Sequence, residues 1–169
     1  MSRWMILILL SLAVPALADK PRGGPTSRPH RGDSDSGFSP EDEKAVHDYK
    51  LTKDKLAKLA DAGKRMEELA KKDPSVKKAE KESHNQTLDE TVKTWERYPQ
   101  AIAVVKSAGL SPKEYLVGMS ALVTSAMFAG MKRSNPEVQA PSYVNPDNVK
   151  FLADHPDAME QFQGMFDRR

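Results

Sequence analysis

Prolines that follow helix-capping residues divide this chain into short segments, and that division constrains the fold more than any other sequence feature. Twelve prolines occur among 169 residues. The clearest cases are Ser39-Pro40, Asp73-Pro74, Ser111-Pro112 and Asn145-Pro146. Proline fits the first turn of a helix, where its missing N–H has no partner to lose, and it disrupts the helix interior. Each pair therefore predicts a helix start, and Pro99 predicts a break between two further helices.

Between these starts, apolar residues recur at the spacing of one helix face. Thr87 and Glu90 form the sequence of a capping box, and Thr52 begins a charged helix with a narrow apolar stripe. That stripe consists of Leu56, Leu59, Gly63, Met66 and Ala70. No segment alternates with period two for long enough to predict a sheet. The sequence therefore predicts an all-α fold, a small helical bundle of about four main helices plus short helical segments.

The helix that begins after Ser111 is the most apolar segment beyond the N-terminal region. The 17 residues from Tyr115 to Met131 carry no charge. A membrane-spanning helix needs about 20 strongly apolar residues, whereas this run is shorter and contains glycine, serine and threonine. We interpret it as a central core helix; a membrane span is the alternative.

The first eighteen residues have the pattern of a secretory signal peptide. Arg3 precedes the apolar run Trp4 to Val14, and Ala16 to Ala18 provide the small residues of a cleavage site. We predict cleavage after Ala18, export to the bacterial periplasm or medium, and no stable membrane span thereafter. Residues 19–39 are rich in Pro, Gly and Ser and predict a disordered tether. Residues 40–169 then form a single helical-bundle domain.

The composition excludes several classes of site. The chain contains no cysteine, so it has no disulfide, thiolate metal site or cysteine nucleophile. With 26 basic and 24 acidic residues, the formal charge is +2 and shows no basic stripe. This balance gives no general attraction to nucleic acid, and we predict no nucleic-acid partner. An exported chain without cysteine is typical of a bacterial envelope protein with a packed helical core.

Three stretches resemble a group of short exported bacterial proteins with no assigned activity. They are the runs Ala108 to Tyr115 and Val144 to Phe151, together with the helix start Leu51 to Lys55. The resemblance covers roughly residues 49–166 and consists mostly of helix starts. It implies an exported, all-helical bacterial protein, and it assigns no catalytic or ligand residue.

Two pairs of residues, one helical turn apart, are candidates for ligand binding. They are Met127 with Met131 and His155 with Met159. Thioether and imidazole groups together bind Cu(I), and a Met/His pair ligates haem in some helical bundles. Methionine also fills gaps in helical cores. We interpret these residues as core residues and predict no cofactor and no metal site.

The aromatic residues Trp95 and Tyr98 are the candidates for a partner surface. Aromatic rings near helix ends also anchor the edge of a core; we interpret both rings as core anchors, and a partner surface is the alternative. The sequence contains neither a Gly-x-Ser-x-Gly nor a His-Glu-x-x-His motif. These patterns favour a protein without catalytic activity.

The sequence predicts an exported helical interaction or binding module, with an unidentified protein partner in the cell envelope. The stripe on the Thr52 helix would serve as a helix-in-groove site if it were exposed. The alternative is a carrier of haem, copper or a small apolar ligand inside the bundle.

Overall fold

The computed structural model describes residues 38–83 and 86–157, and seven helices with no strand occupy these ranges. The prediction of a small all-α protein is confirmed. Two helices are long, with 20 and 23 residues, and five have eight or nine. In chain order the helices are α1 (Pro40–Asp48), α2 (Lys53–Lys72), α3 (Pro74–Glu82), α4 (Leu88–Trp95), α5 (Pro99–Ser107), α6 (Pro112–Ser134) and α7 (Pro146–Asp154).

The predicted capping residues begin the helices. Proline occupies the first turn of α1, α3, α5, α6 and α7. Both hydrogen bonds of the predicted capping box join Thr87 and Glu90 at the start of α4. Gly109 follows α5 with φ of +77°, the left-handed conformation in which glycine carries no steric cost. Side chains that accept a backbone N–H at the other starts belong to Ser39, Thr52, Asp73, Ser111 and Asn145.

The predicted signal peptide, residues 1–18, lies outside the described residues, as does the predicted tether up to residue 37. The last two tether residues belong to the folded part. Phe38 packs edge-on against Tyr143, with ring centroids 6.0 Å apart, and Ser39 caps α1. These two residues therefore contact the helical part of the chain, and the partner of Phe38 is remote in sequence.

Helix α6 lies at the centre of the bundle. It packs against α1, α2, α4, α5 and α7. In the described part of the chain it is the one helix long and apolar enough to cross a membrane, and 61% of its apolar window is buried inside the protein. A buried core helix has the same length and composition, so this burial supports our interpretation of α6 as the core helix.

The apolar stripe on α2 is covered within the chain by α3, α5 and α6. Leu59 and Ala62 are fully buried. The sequence predicted Gly63 as a member of the stripe, but Gly63 is partly exposed and the neighbouring Ala62 is buried instead. The stripe is therefore core, and it offers no open groove to a helix from another protein.

Tyr49, in the loop between α1 and α2, packs its ring against Gly118 of α6. A Cβ atom at Gly118 would lie 2.9 Å from Cζ and Oη of Tyr49. The Lys55 ammonium group lies 4.2 Å from the ring centroid. The Tyr49 hydroxyl is buried and has no hydrogen-bond partner among the described residues. Burial raises the pKa of Tyr49 to about 12, and the negative charge of Glu114 adds to the rise.

Replacing Tyr49 by phenylalanine is expected to cost no stability at neutral pH, because the buried hydroxyl makes no hydrogen bond that would be lost. At high pH the two proteins should differ. The pKa of tyrosine in an unfolded chain is about 10, below the folded value. As pH rises from there, the unfolded state releases a proton that the folded state keeps, so stability falls. Urea unfolding at neutral pH and near pH 11 should show a smaller alkaline loss in Tyr49→Phe. An identical loss in both proteins would contradict this prediction.

Helix α7 is fixed to the end of α1 and to the loop that follows it by two buried asparagines. Asn148 accepts a hydrogen bond from the Leu51 N–H at 2.8 Å and donates one to the Tyr49 carbonyl at 2.7 Å. Asn145 caps α7 and donates to the His47 carbonyl at 2.6 Å. These contacts hold α7 against the bundle.

The chain breaks its helix where Pro156 predicts a kink or a restart. Helix α7 ends at Asp154, and His155 has the non-helical angles φ −128° and ψ 68°. The backbone is helical again at residues 156 and 157, where the described part of the chain ends. Proline again stands at the start of a helical segment.

Candidate functional site

Two methionines near the end of α6 are exposed to solvent. Met127 and Met131 lie one turn apart, and each exposes 47% of its surface. They are the exposed large apolar side chains of the part of the chain that the structure describes. Our interpretation of both as core residues is wrong. Burial along α6 ends at Phe128, which is 4% exposed, and every residue from Gly130 to Ser134 is exposed.

Two basic residues follow this methionine pair in the sequence. Lys132 and Arg133 occupy the last turn of α6, where positive charge interacts favourably with the negative end of the helix dipole. Both are exposed. Neither forms an ion pair within residues 38–83 and 86–157. The last two turns of α6, with Met127, Met131, Lys132 and Arg133, are called the α6 tip below. It contains an apolar pair and two basic side chains that have no ion pair within the described residues.

The second candidate ligand pair is only partly described. His155 is half-buried; its Nδ1 lies 2.8 Å from the Phe151 carbonyl, and its ring stacks on the Phe151 ring at 4.4 Å. A carbonyl oxygen only accepts hydrogen bonds, so Nδ1 carries the proton. Met159 lies outside the described residues. In the described part, no group of three or more His, Asp or Glu side chains is arranged to hold a metal ion.

The predicted partner surface at Trp95 and Tyr98 is buried, with exposures of 6% and 9%. Trp95 packs against Tyr115 with ring centroids 6.0 Å apart. The Tyr98 hydroxyl donates a hydrogen bond to Glu82 at 3.0 Å, and Arg97 pairs with the same carboxylate. Burial of both rings supports our interpretation of them as core anchors, Trp95 at the end of α4 and Tyr98 in the turn before α5. The alternative, a partner surface at these two residues, is not supported.

A shallow groove of about 290 Å³ lies between α1 and the loop before α7. The Ser142 hydroxyl donates to the Glu43 carboxylate at 3.2 Å, and His47 Nδ1 lies 3.3 Å from Asp48. The groove is open to solvent, and its walls carry both signs of charge. It therefore offers less apolar surface to a partner than the α6 tip. Its lining residues are Pro40, Glu43, Lys44, His47 and Ser142.

No family model matches the chain, and comparison with curated proteins and with solved structures finds no match either. The resemblance to short exported bacterial proteins therefore stays a prediction.

The sequence singled out Met127 and Met131 but assigned them the wrong surroundings. Their spacing is the same for a core stripe and for an exposed pair. The informative signal was the change after residue 131, where Lys132, Arg133 and Ser134 end the uncharged run. The groove at Ser142 has no local signal, because it joins residues about a hundred positions apart.

Proposed function

We propose that this chain is an exported, non-catalytic interaction module whose contact surface is the α6 tip. The observation that carries the proposal is the exposure of Met127 and Met131 near the end of a helix that is mostly buried from Tyr115 to Ser125. Neighbouring exposed apolar side chains that form a contiguous patch are typical of surfaces where a protein meets a partner. Methionine suits such a surface because its flexible, polarisable side chain adapts to different partner shapes.

The partner is a protein segment with apolar anchors and acidic side chains at its edge. The anchors would bury the two methionines, as an amphipathic helix does when it lies in an apolar groove. The acidic edge would pair with Lys132 and Arg133, which have no ion pair in the described part of the chain. Charge complementarity of this kind determines orientation and increases the rate of association.

Export through a cleaved signal peptide is the second part of the proposal. It is supported by the charged start, the apolar run and the small residues before Asp19. The intact mass of the protein purified from the envelope fraction of its source cells tests it. A chain that begins at Asp19 is expected, and a full-length chain confined to the cytoplasm would contradict export.

The contact surface is tested by exchanging both methionines for glutamine. Glutamine has nearly the same helix propensity and length as methionine, so Met127→Gln with Met131→Gln removes the apolar surface and leaves the helix intact. Tagged wild-type protein is expected to retain an envelope protein, identified by mass spectrometry, that the glutamine variant does not retain. The measurement is the ratio of that protein in the two captures.

A control variant carries glutamine at two exposed positions elsewhere on the surface. Lys93→Gln with Lys106→Gln alters two exposed side chains on α4 and α5. This control should capture the partner as the wild type does, and all three proteins should have equal helix content. Capture that is equal in the wild type and the methionine variant would overturn the assignment of the contact surface.

A further inference from the structure

The methionines in the described part of the chain differ in exposure. Met127 and Met131 each expose 47% of their surface. Met66 and Met119 are partly buried and pack against the hydrophobic core. A dissolved oxidant reaches an exposed sulfur more readily than one that is packed against a core. The α6 tip therefore carries the two most exposed methionines of the part of the chain that the structure describes.

Oxygen transfer from a peroxide is the reaction that an exposed thioether undergoes. The sulfur gives two electrons and forms a bond to one peroxide oxygen as the O–O bond breaks. With hydrogen peroxide the other oxygen leaves as water, and no further reactant is consumed. The product is methionine sulfoxide, a polar side chain that methionine sulfoxide reductases convert back to methionine. In that reverse step two thiols become one disulfide, and the sulfoxide oxygen leaves as water.

The position of the methionine pair separates the surface from the fold. Burial along α6 ends at Phe128, and residues 130–134 are exposed. An oxygen atom added to Met127 or Met131 can stay in water, so it creates no buried polar group. An oxygen added to Met119 would instead belong to a side chain that packs against the core, where an unpaired polar group costs free energy. Oxidation at the α6 tip is therefore expected to change the surface and leave the bundle folded.

We propose that Met127 and Met131 are sites of reversible oxidation by peroxides, and that their sulfoxides weaken the binding of a partner to the α6 tip. The two residues are four positions apart, so they face the same side of the helix. Their oxidation replaces the apolar pair by two polar groups, each of which loses its water when a partner packs on it. The loss of binding rests on the proposed function, whereas the selective oxidation does not.

The positions of oxidation are tested in the full-length protein with hydrogen peroxide alone. Tandem mass spectrometry of proteolytic peptides gives the fraction of sulfoxide at each methionine over time. Met127 and Met131 are expected to oxidise at least about threefold faster than Met66 and Met119, because packing shields the second pair. Equal rates at the four positions would overturn the assignment of the site.

Protein unfolded in urea is the reference for this measurement. The four methionines should oxidise there at similar rates, because no packing distinguishes them. A difference that persists in urea would show that the folded structure is not its cause. Circular dichroism of the folded protein should show the same helix content before and after oxidation of Met127 and Met131; a loss of helix would contradict a change confined to the surface.

Leucine substitutions separate oxidation of the α6 tip from other effects of peroxide. Leucine has nearly the helix propensity of methionine and keeps the surface apolar, but it has no sulfur. Met127→Leu with Met131→Leu should bind the captured partner equally well before and after peroxide treatment. The matched control is Met66→Leu with Met119→Leu, an exchange that cores tolerate at small cost. Its binding should remain as sensitive to peroxide as that of the wild type.

Binding is measured after the peroxide has been removed, so the partner itself is not oxidised. Oxidised wild-type protein should bind the captured partner at least about tenfold more weakly, because apolar burial at two side chains is lost. Reductases for both sulfoxide epimers, supplied with a thiol, should restore binding. Equal binding before and after oxidation, or an equal loss in the Met127/Met131 leucine variant, would overturn the regulatory role.

The two proposals fail in different ways. Selective oxidation of Met127 and Met131 without any captured partner would refute the proposed function, and the regulatory role with it, but would leave the oxidation sites standing. A captured partner whose binding depends on the methionine pair, together with equal oxidation rates at all four methionines, would refute the oxidation sites and leave the contact surface standing.

Discussion

Replacing Asn148 by alanine is expected to lower the free energy of unfolding by about 2–5 kcal/mol. The side chain is 1% exposed and joins α7 to two backbone groups of the loop between α1 and α2. Alanine would leave the Leu51 N–H and the Tyr49 carbonyl without these partners. An unsatisfied buried polar group costs about 1–3 kcal/mol, and the cavity left by the amide adds to that cost.

Asn135 provides the matched control for this substitution. It lies at the C-terminus of α6, is exposed, and accepts a weak hydrogen bond from the Glu137 N–H at 3.3 Å. Asn135→Ala should change the free energy of unfolding by no more than about 0.5 kcal/mol. Urea unfolding followed by circular dichroism measures both variants. Equal stability of Asn148→Ala and Asn135→Ala would show that the asparagine contacts do not hold α7 in place.

Alanine at Gly118 should destabilise the protein, although the same substitution at Gly130 should stabilise it. Both glycines lie within α6, where alanine is favoured over glycine by about 1 kcal/mol. At Gly130 an added Cβ atom would have no heavy atom within 4 Å, so the higher helix propensity of alanine should stabilise the protein there. At Gly118 the Cβ atom would also lie 3.0 Å from Cδ2 of Leu59, in addition to its contacts with the Tyr49 ring.

The expected result is a loss of about 1–3 kcal/mol for Gly118→Ala, the usual cost of overpacking a core. Leu59 is fully buried and the Tyr49 ring is rigid, so neither moves aside freely. Gly130→Ala should raise the free energy of unfolding by up to about 1 kcal/mol. If Tyr49 packs on Gly118, denaturant unfolding should show that the two substitutions change the free energy of unfolding in opposite directions. A stabilising Gly118→Ala would contradict that packing.

The helix boundaries were largely predictable because they depend on neighbouring residues. A capping side chain, a first-turn proline or a capping-box glutamate acts within three or four positions, so Ser111-Pro112 and Thr87 with Glu90 carry their own signal. The end of α7 was predictable for the same reason, because Pro156 disrupts a continuing helix.

Burial was less predictable because it depends on residues remote in sequence. The sequence favoured a core position for Trp95 but did not identify its partner Tyr115, which lies on another helix. Asn148 is polar but fully buried, and the backbone groups that satisfy it lie 97 and 99 positions away. No pattern of neighbouring residues therefore indicates its burial. Met127 has the spacing of a core residue and is nevertheless exposed. Periodicity identifies a helix face, but it does not identify what covers that face.

The most direct test of the proposed contact surface is the dissociation constant of the captured partner, measured by calorimetry with wild-type protein and with the Met127→Gln, Met131→Gln variant. Each methionine is already about half buried. Complete burial of the two remaining halves is worth about 2 kcal/mol, or about thirtyfold in affinity. The account predicts binding that is weaker by about that factor. Equal dissociation constants for the two proteins would contradict it.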